Sequence, residues 1–311
     1  MPNLVAPQLP LSSGPELITA VPHLLGYHPG PGALVALAVD DRGWCAIHYA
    51  LPSDRWRAEV AQRLAQRILS YENRIVHLAG YGPDHEVSPC LDTVISALRV
   101  NGICVERAVR VRHGSWIQHW PHRYDAVDEP LPTPQTVAVD GRYIHPSRHD
   151  AAKALDPVTG PAREAMDTAT ARAEAQLKDL PEAELISTFL PVIGQLMDRP
   201  RPLSDQETAE LGIALTVTRL RDEALRRTDG DDPERHILMW RTVVRRVDRA
   251  YLAAPASLLA YTAYLHGDGV LANFALERAQ QADPGSTLAD LLRQMIEMAV
   301  PREKARHLLT H

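Results

Sequence analysis

Two side chains that can do chemistry, Tyr27 and His28, lie together in a short turn near the start of the chain. Gly26, Gly30 and Gly32 in the same turn permit backbone angles that residues with a Cβ avoid. Because histidine changes its charge near neutral pH, His28 is a candidate for ligand binding or proton transfer. A structural histidine that is merely hydrogen-bonded is the alternative, and the sequence favours it.

A second candidate site is the loop over residues 80–86, which contains Tyr81, Asp84 and His85. Open α/β sheets bind ligands beyond the carboxyl ends of parallel strands, and this loop is predicted to follow such a strand. The loop lacks a Gly-x-Gly-x-x-Gly fingerprint, and Pro83 is expected to block a helix start at the phosphate-binding position. Nucleotide binding is therefore disfavoured, and Asp84 and His85 are interpreted as solvated loop residues.

A histidine-rich stretch over residues 113–125 contains two weak candidates for metal ligands, His119 and His122. Neutral imidazoles are common metal ligands, but a closed zinc site needs four ligands and this stretch has no cysteine. The sequence therefore predicts no structural zinc here, and no cofactor is expected elsewhere in the chain.

Three arginines, Arg241, Arg245 and Arg249, recur every four residues and would form a basic stripe on one helix. Such a stripe is a weak candidate for contact with phosphate or RNA. Because aromatic residues do not interleave with it, a solvated face paired with nearby acids is the favoured interpretation.

The elements that must position these residues follow from the hydrophobic pattern of the first half. Five segments have the pattern of strands: residues 33–39, 44–51, 74–81, 103–111 and, as a candidate, 136–140. A helix between the third and fourth strands, read from residue 88 to 98, implies that those two strands are parallel. Residues 119–135 are read as a long loop. Residues 1–156 are thus predicted to form a mixed sheet of about five strands with helices on both faces.

Strand patterns disappear in the second half, so residues 157–311 are predicted to form an all-helical domain. The predicted helices cover residues 162–180, 182–197, 205–227, 233–253, 256–265, 270–282 and 287–299. The pair at 256–265 and 270–282 resembles a tetratricopeptide unit in its order of small and large residues. A binding solenoid needs about three such units, so an ordinary well-packed helical hairpin is the alternative.

The composition is that of a globular protein, with 45% apolar and 23% charged residues among 311. A net charge of −6 argues against a general nucleic-acid or membrane-surface binder. No apolar run reaches the about 18 residues of a membrane span. Three separated cysteines give no disulfide framework, and no signal peptide is recognised, so a cytoplasmic location is expected.

The segment over residues 15–52 carries a recognisable order of features: a helix, Pro-x-Leu-Leu-Gly-Tyr-x-Pro, an apolar strand, a hairpin and a Leu-Pro step. This order resembles the actinobacterial domain-of-unknown-function family numbered 4192, which has no established activity. The resemblance implies a serine near Gly32, and an arginine and an aspartate where this chain has His48 and Ala50. If those missing groups do chemistry in the family, this chain has lost it.

No familiar catalytic signature occurs, neither Gly-x-Ser-x-Gly nor His-Glu-x-x-His. The favoured hypothesis is a non-enzymatic binding or adaptor protein whose helical half contacts a protein partner, with self-association as a further expectation. The alternative is an enzyme or small-molecule sensor with a cleft near Tyr27, His28 and residues 80–85. A deep pocket around His28 or His85 with a shifted pKa would favour the alternative, and an apolar concave face on the helical half would favour the adaptor.

Overall fold

A computed structural model of the chain describes residues 11–40, 43–69, 75–119, 128–134, 143–228, 232–298 and 300–310. The chain divides into two compact units, Met1–Ala151 and Ala152–His311. The first unit is a mixed α/β structure. The described residues of the second unit form helices and their connections, with no strand. The predicted fold class is therefore confirmed.

The first unit is built on one sheet whose described strands run in the order β2-β1-β3-β4-β5-β6. Its elements are α1 (Gly14–Leu25), β1 (Ala33–Asp40), β2 (Gly43–Ala50), α2 (Arg57–Leu69), β3 (Ile75–Tyr81), α3 (Asp84–Val100), β4 (Cys104–Arg112), β5 (Ser115–Gln118), β6 (Glu129–Pro130) and α4 (Arg148–Ala152). Strands β3 and β4 pair in parallel, as the intervening helix predicted. The other neighbouring pairs are antiparallel, so the sheet is mixed.

Two strands of this sheet, β5 and β6, were not predicted from the sequence. Strand β5 turns back onto β4 at Gly114, whose φ of 79° suits a glycine. The two-residue strand β6 lies inside the stretch 119–135 that was read as loop. Strands this short give almost no periodic signal. The candidate strand at residues 136–140 lies outside the described residues.

Helices cover both faces of the sheet, and the main core lies between β1, β3 and helices α2 and α3. Its largest fully buried members are Leu34, Ile47, Leu64, Ile68, Leu78, Leu91, Ile95 and Leu98. Helix α1 packs on the sheet as well, against β2, β3 and β4. Strand β1 is buried from Ala33 to Ala38, which explains why this part of the chain reads as a continuous hydrophobic run.

The second unit is a stack of helices. They are α5 (Pro161–Leu177), α6 (Glu182–Asp198), α7 (Asp205–Ala214), α8 (Thr218–Arg226), α9 (Pro233–Arg246), α10 (Ala253–Leu265), α11 (Gly269–Ala282), α12 (Thr287–Glu297) and α13 (Arg302–Thr310), with short 3₁₀ turns at Lys153–Leu155 and Arg249–Tyr251. None of the helices in the described parts of the chain has the length and apolarity needed to cross a membrane.

Some predicted helix boundaries were wrong. The segment 205–227 is two helices, because Val217 is extended and separates α7 from α8. The segment 233–253 ends at Arg246, because Val247 is extended and Asp248 caps the following 3₁₀ turn. Helix α10 starts two residues before Pro255, which is tolerated because a first-turn N–H has no partner within the helix. Helix α13 was not predicted.

Helices α10 and α11 form the predicted hairpin. Alanines at the contact are completely buried on both helices: Ala256, Ala260, Ala263, Ala272, Ala275 and Ala279. The connection turns at Gly267, with φ 86°, and the Asp268 side chain caps α11 by accepting from the Leu271 N–H. Helix α12 packs on both helices through Leu292 and its apolar neighbours. Small residues thus allow the close approach that the sequence pattern indicated.

Candidate functional site

A cavity of about 360 Å³ lies beyond the carboxyl ends of β3 and β4 in the first unit. Its walls come from α1, the turn after α1, the ends of the two parallel strands, residues 131–134 and Ile144. This is the position at which open α/β sheets bind ligands, because the strand ends and the loops that follow them form a concave edge.

Backbone hydrogen bonds position the turn that forms one wall. Helix α1 ends because Gly26 adopts the left-handed conformation with φ 71°, which reverses the chain direction. The His28 N–H then donates to the His145 carbonyl over 2.9 Å, and the His145 N–H donates to the Gly26 carbonyl over 2.8 Å. A further bond from the Gly32 N–H to the Tyr81 carbonyl, 2.7 Å long, fixes the turn to the end of β3.

Three buried polar atoms of the lining residues, one each in Tyr81, His23 and Arg112, have no hydrogen-bond partner among the described residues. Tyr81 is only 7% exposed and its hydroxyl is unpaired, and His23 is 6% exposed with an unpaired Nδ1. Burial raises the pKa of the Tyr81 phenol, so its hydroxyl keeps its proton and remains a hydrogen-bond donor. Native proteins satisfy nearly all their buried polar groups, so exceptions in a cavity wall require an explanation.

An ionic network behind the cavity joins the end of β4 to α3. Arg110, 3% exposed, donates to the Ser88 hydroxyl over 2.9 Å and lies 3.3 Å from the Asp84 carboxylate. Arg112, a lining residue, lies 3.1 Å from Asp84 and donates to Asp128 over 2.5 Å. Its Nε is buried and unpaired. Asp84 therefore holds two arginines in place.

The predicted loop around Asp84 is in fact the first turn of α3. Pro83 occupies the N-cap with ψ 146°, and the helix begins at the next residue rather than near residue 88. The expectation that Pro83 blocks a helix start was wrong, because a proline just before a helix loses no helical hydrogen bond. His85, in that same turn, is solvent-exposed and lies 3.7 Å from Glu86.

The cavity contains only part of the residue set that the sequence suggested. His28 and Tyr81 line it, whereas Tyr27, Asp84 and His85 do not belong to its lining. His23 and Arg112, which line it, were missed. A signal for each existed: His23 lies within the Pro-x-Leu-Leu-Gly motif, and Arg112 ends a strand of the parallel pair.

Comparison with known proteins identifies the family. The model of the family described as Domain of unknown function (DUF4192) matches residues 15–303. The chain belongs to this family. No curated protein matches it, and no solved structure does. The match spans most of both units, so the sheet and the helices together make up the DUF4192 fold in this protein.

Tyr27 belongs to the turn that carries the DUF4192 motif, and its side chain makes a contact within the fold. Its ring is 2% exposed, and its hydroxyl lies 2.7 Å from Nδ1 of His48 on β2. Burial and the charge of Arg148 lower the pKa of His48 to about 4, so the imidazole is neutral at pH 7. His48 stands where the resemblance implied an arginine, and here it joins the turn to the second strand.

His119, one of the two weak metal candidates of this DUF4192 member, does not belong to the cavity lining. His119 is buried, with its Nε2 3.0 Å from Asp92, and burial lowers its pKa despite that carboxylate. His122 lies outside the described residues. Among the residues whose placement is described, no cluster of three or more metal-binding side chains is found.

The arginine stripe predicted for this DUF4192 chain does not exist as one helix face. Helix α9 ends at Arg246, so Arg249 belongs to the separate 3₁₀ turn. The Arg245 Nε donates to the Asp156 carbonyl over 3.1 Å, and Arg249 donates to the Gln281 carbonyl over 2.8 Å. Arg245 and Arg249 thus tie chain segments together within the second unit.

Proposed function

We propose that the first unit binds a small molecule in the cavity beyond β3 and β4 without transforming it. The observation that carries this proposal is the cavity itself, which has a volume of about 360 Å³ and lies at the edge where open α/β sheets bind ligands. Its volume is within the range of about 300–1,000 Å³ that is typical of small-molecule pockets.

The side chains around the cavity support binding rather than catalysis. Among the lining residues that are described, none is a carboxylate, a cysteine or a serine. Tyr81 keeps its proton because burial raises the pKa of its phenol, so it cannot act as a general base near neutral pH. This proposal takes up the small-molecule alternative of the sequence analysis, with His23 and Arg112 added to the candidate residues.

The proposal is tested by filling the cavity. Thr19 lines it from α1, so Thr19→Trp should occupy the space that a ligand needs. Small molecules released by denaturing the purified protein are compared by mass spectrometry between the wild type and this variant. We expect at least one compound to be present with the wild type and lost from Thr19→Trp.

The matched control is Thr168→Trp, which places the same ring on the exposed surface of α5. This variant should release the same compounds as the wild type. Identical small-molecule contents in all three proteins would show that the cavity does not hold a ligand. Circular dichroism of each variant confirms that its helices and sheet are retained.

We also propose that the helical unit contacts a protein, including a second copy of the chain. Supporting this, α12 covers the α10–α11 hairpin and yet leaves Leu291 49% exposed, with Met298 just beyond it 61% exposed. We also propose that the hairpin is tetratricopeptide-like, and the fully buried alanines on both of its helices support this. Light scattering should show a dimer that Leu291→Arg dissociates, whereas Leu238→Arg on α9, also an exposed leucine, should leave it intact.

We further infer an actinobacterial source and a cytoplasmic location. The source is supported by the composition, since 30 of the 33 lysine and arginine residues are arginine, as high-GC coding favours. The location is supported by the separated cysteines, which suit a reducing compartment. Fractionation of cells that produce the full chain, followed by immunodetection, tests the location.

A further inference from the structure

We infer that the ligand of this cavity is an uncharged, mainly hydrocarbon compound about the size of two fused aromatic rings. The inference rests on the proposed binding function of the cavity and specifies the chemistry of what binds. It follows from the side chains of the sheet that face the cavity, from the prolines in its walls and from its volume.

The end of β4 keeps its charged side chains away from the cavity. Successive side chains of a strand point to opposite faces of the sheet. Arg110 and Arg112 both pair with Asp84 of α3, so they lie on the α3 face. Val111, between them in the chain, faces the other side, where it lines the cavity together with Ile18 of α1. The floor of the cavity is therefore hydrocarbon at this strand.

Tyr81 continues this floor beside Val111, its partner in the parallel ladder. The hydroxyl of Tyr81 is buried in the wall, as is Nδ1 of His23. The parts of Tyr81 and His23 that line the cavity are therefore not these polar atoms. An anion in the cavity would leave water without gaining a hydrogen bond from either atom, which is unfavourable.

Five prolines contribute to the walls. They are Pro22 of α1, Pro29 and Pro31 of the following turn, and Pro132 and Pro134. A proline has no backbone N–H, so these positions cannot bind an anion through the main chain. The fixed φ of each ring also stiffens the walls, which lowers the entropy cost of holding a rigid ligand. Leu131 and Ile144 add further hydrocarbon surface.

The volume of the cavity sets the size of the ligand. An apolar cavity of about 150 Å³ holds one benzene molecule, and this cavity has about 360 Å³. It therefore has room for two fused rings and one small polar group. Thr19 and Thr133 in the lining have uncharged polar side chains, which suit a neutral group such as a hydroxyl.

The test measures the selectivity of the full chain by calorimetric titration. The probes carry their substituent at the same position of a naphthalene ring: naphthylmethanol is neutral, naphthoate is an anion and naphthylmethylammonium is a cation. We expect the alcohol to bind about tenfold or more tightly than either ion, because the cavity does not compensate the lost hydration of a charge. The titrations are run at pH 8, because a protonated His28 or His113 in the lining would attract an anion.

A charge introduced into the lining locates the binding. Leu131→Arg should weaken the preference for the alcohol over naphthoate by about tenfold or more, because the new guanidinium attracts the carboxylate. Leu238→Arg is the matched control, since it adds the same charge at an exposed position of α9 outside the lining. It should keep the selectivity of the wild type. Circular dichroism of both variants confirms that they are folded.

The inference is wrong if an ion binds the wild type as tightly as the alcohol, or if folded Leu131→Arg keeps the selectivity of the wild type. If no probe binds while Thr19→Trp still loses a compound, the inference is wrong and the proposed binding function stands. A charged compound among those lost from Thr19→Trp likewise contradicts the inference alone. Identical small-molecule contents in the wild type and Thr19→Trp contradict the proposed function instead.

Discussion

At the scale of a single residue, Tyr81 carries a buried hydroxyl that does not help to stabilise the fold. Its ring ends β3 and is 7% exposed, and the hydroxyl finds no partner among the described residues. A phenylalanine would fill the same space without an unsatisfied donor.

Removing this hydroxyl should not weaken the free protein. We expect Tyr81→Phe to leave the free energy of unfolding unchanged or to raise it by up to about 1–3 kcal/mol, because an unpaired buried group is deleted. Urea unfolding followed by circular dichroism measures it. A loss of stability in the ligand-free variant would mean that the hydroxyl already has a hydrogen-bond partner.

His48 makes the first unit sensitive to acid. Its pKa in the folded chain is about 4, below the ordinary value of 6.5, because burial and Arg148 disfavour the charged imidazole. Between these two pH values the unfolded chain binds the proton more readily than the folded chain. The stability that His48 confers is therefore complete above pH 6.5 and is lost as the pH falls towards 4.

As the pH falls from 6.5 to 4, the free energy of unfolding should decrease by about 2 kcal/mol less in His48→Asn than in the wild type. Asparagine keeps a polar atom near the Tyr27 hydroxyl but does not titrate. Urea unfolding of both proteins across this pH range measures the difference. His77, His119 and His236 also have lowered pKa values, so the wild type alone does not isolate His48. Parallel profiles for the two proteins would contradict the prediction.

The turn that carries His28 depends on the backbone of one glycine. Gly26 has φ 71° with open space around its Cα, so any cost of a side chain there comes from the backbone alone. We expect Gly26→Ala to lower the free energy of unfolding by about 1–2 kcal/mol. Gly30→Ala is the control, because Gly30 has no positive φ and equally open surroundings, and it should change stability by less than about 0.5 kcal/mol. Equal losses of stability in the two variants would show that the left-handed backbone at Gly26 is not the cause.

At the scale of an element, α1 is the piece that closes one side of the cavity. Its start is fixed by a capping box, in which the Ser13 hydroxyl accepts from the Glu16 N–H and the Glu16 carboxylate accepts from the Ser13 N–H. The first residue, Gly14, lies directly against the Trp116 ring of β5. The helix is therefore positioned at one end by Gly14 and at the other by Gly26.

A methyl group at the start of α1 should displace the helix. The Cβ of alanine at position 14 would overlap the Trp116 ring, so we expect Gly14→Ala to destabilise the first unit by about 1–3 kcal/mol. Gly269→Ala is the matched control, because Gly269 is also the first residue of a helix but has open space around it. That change should leave stability unchanged or raise it by up to about 1 kcal/mol. Thermal unfolding compares the two, and a neutral Gly14→Ala would show that Trp116 can move aside.

At the scale of the whole molecule, each unit has its own buried core. The first is organised around Leu34, Leu78 and Leu91, and the second around fully buried Trp240, Leu259 and Tyr261. A fragment over residues 152–311 should therefore fold alone and unfold in one cooperative urea transition with a helical circular dichroism spectrum. A fragment that is unfolded in buffer would show that the second core is not sufficient by itself.

Much of this architecture could be predicted from local patterns. The apolar run at residues 33–39, the helix between β3 and β4, and the loss of strand patterns after residue 156 fixed a mixed sheet followed by helices. These features depend on periodicity and chain connectivity, which a sequence displays directly. The weak strands β5 and β6 and the break between α7 and α8 were missed, because each depends on pairing or packing that leaves little periodic trace.

The family motif lies beside the cavity, but only the tertiary structure shows which residues of the chain line it. His23, His28, Tyr81 and Arg112 come from a helix, a turn and two strand ends that are far apart in the chain. Sequence spacing cannot show that Tyr27 turns to His48 instead, since that depends on how the turn folds back onto β2. Residue types and local periods are properties of the chain itself, whereas burial without a partner is a property of the packed fold.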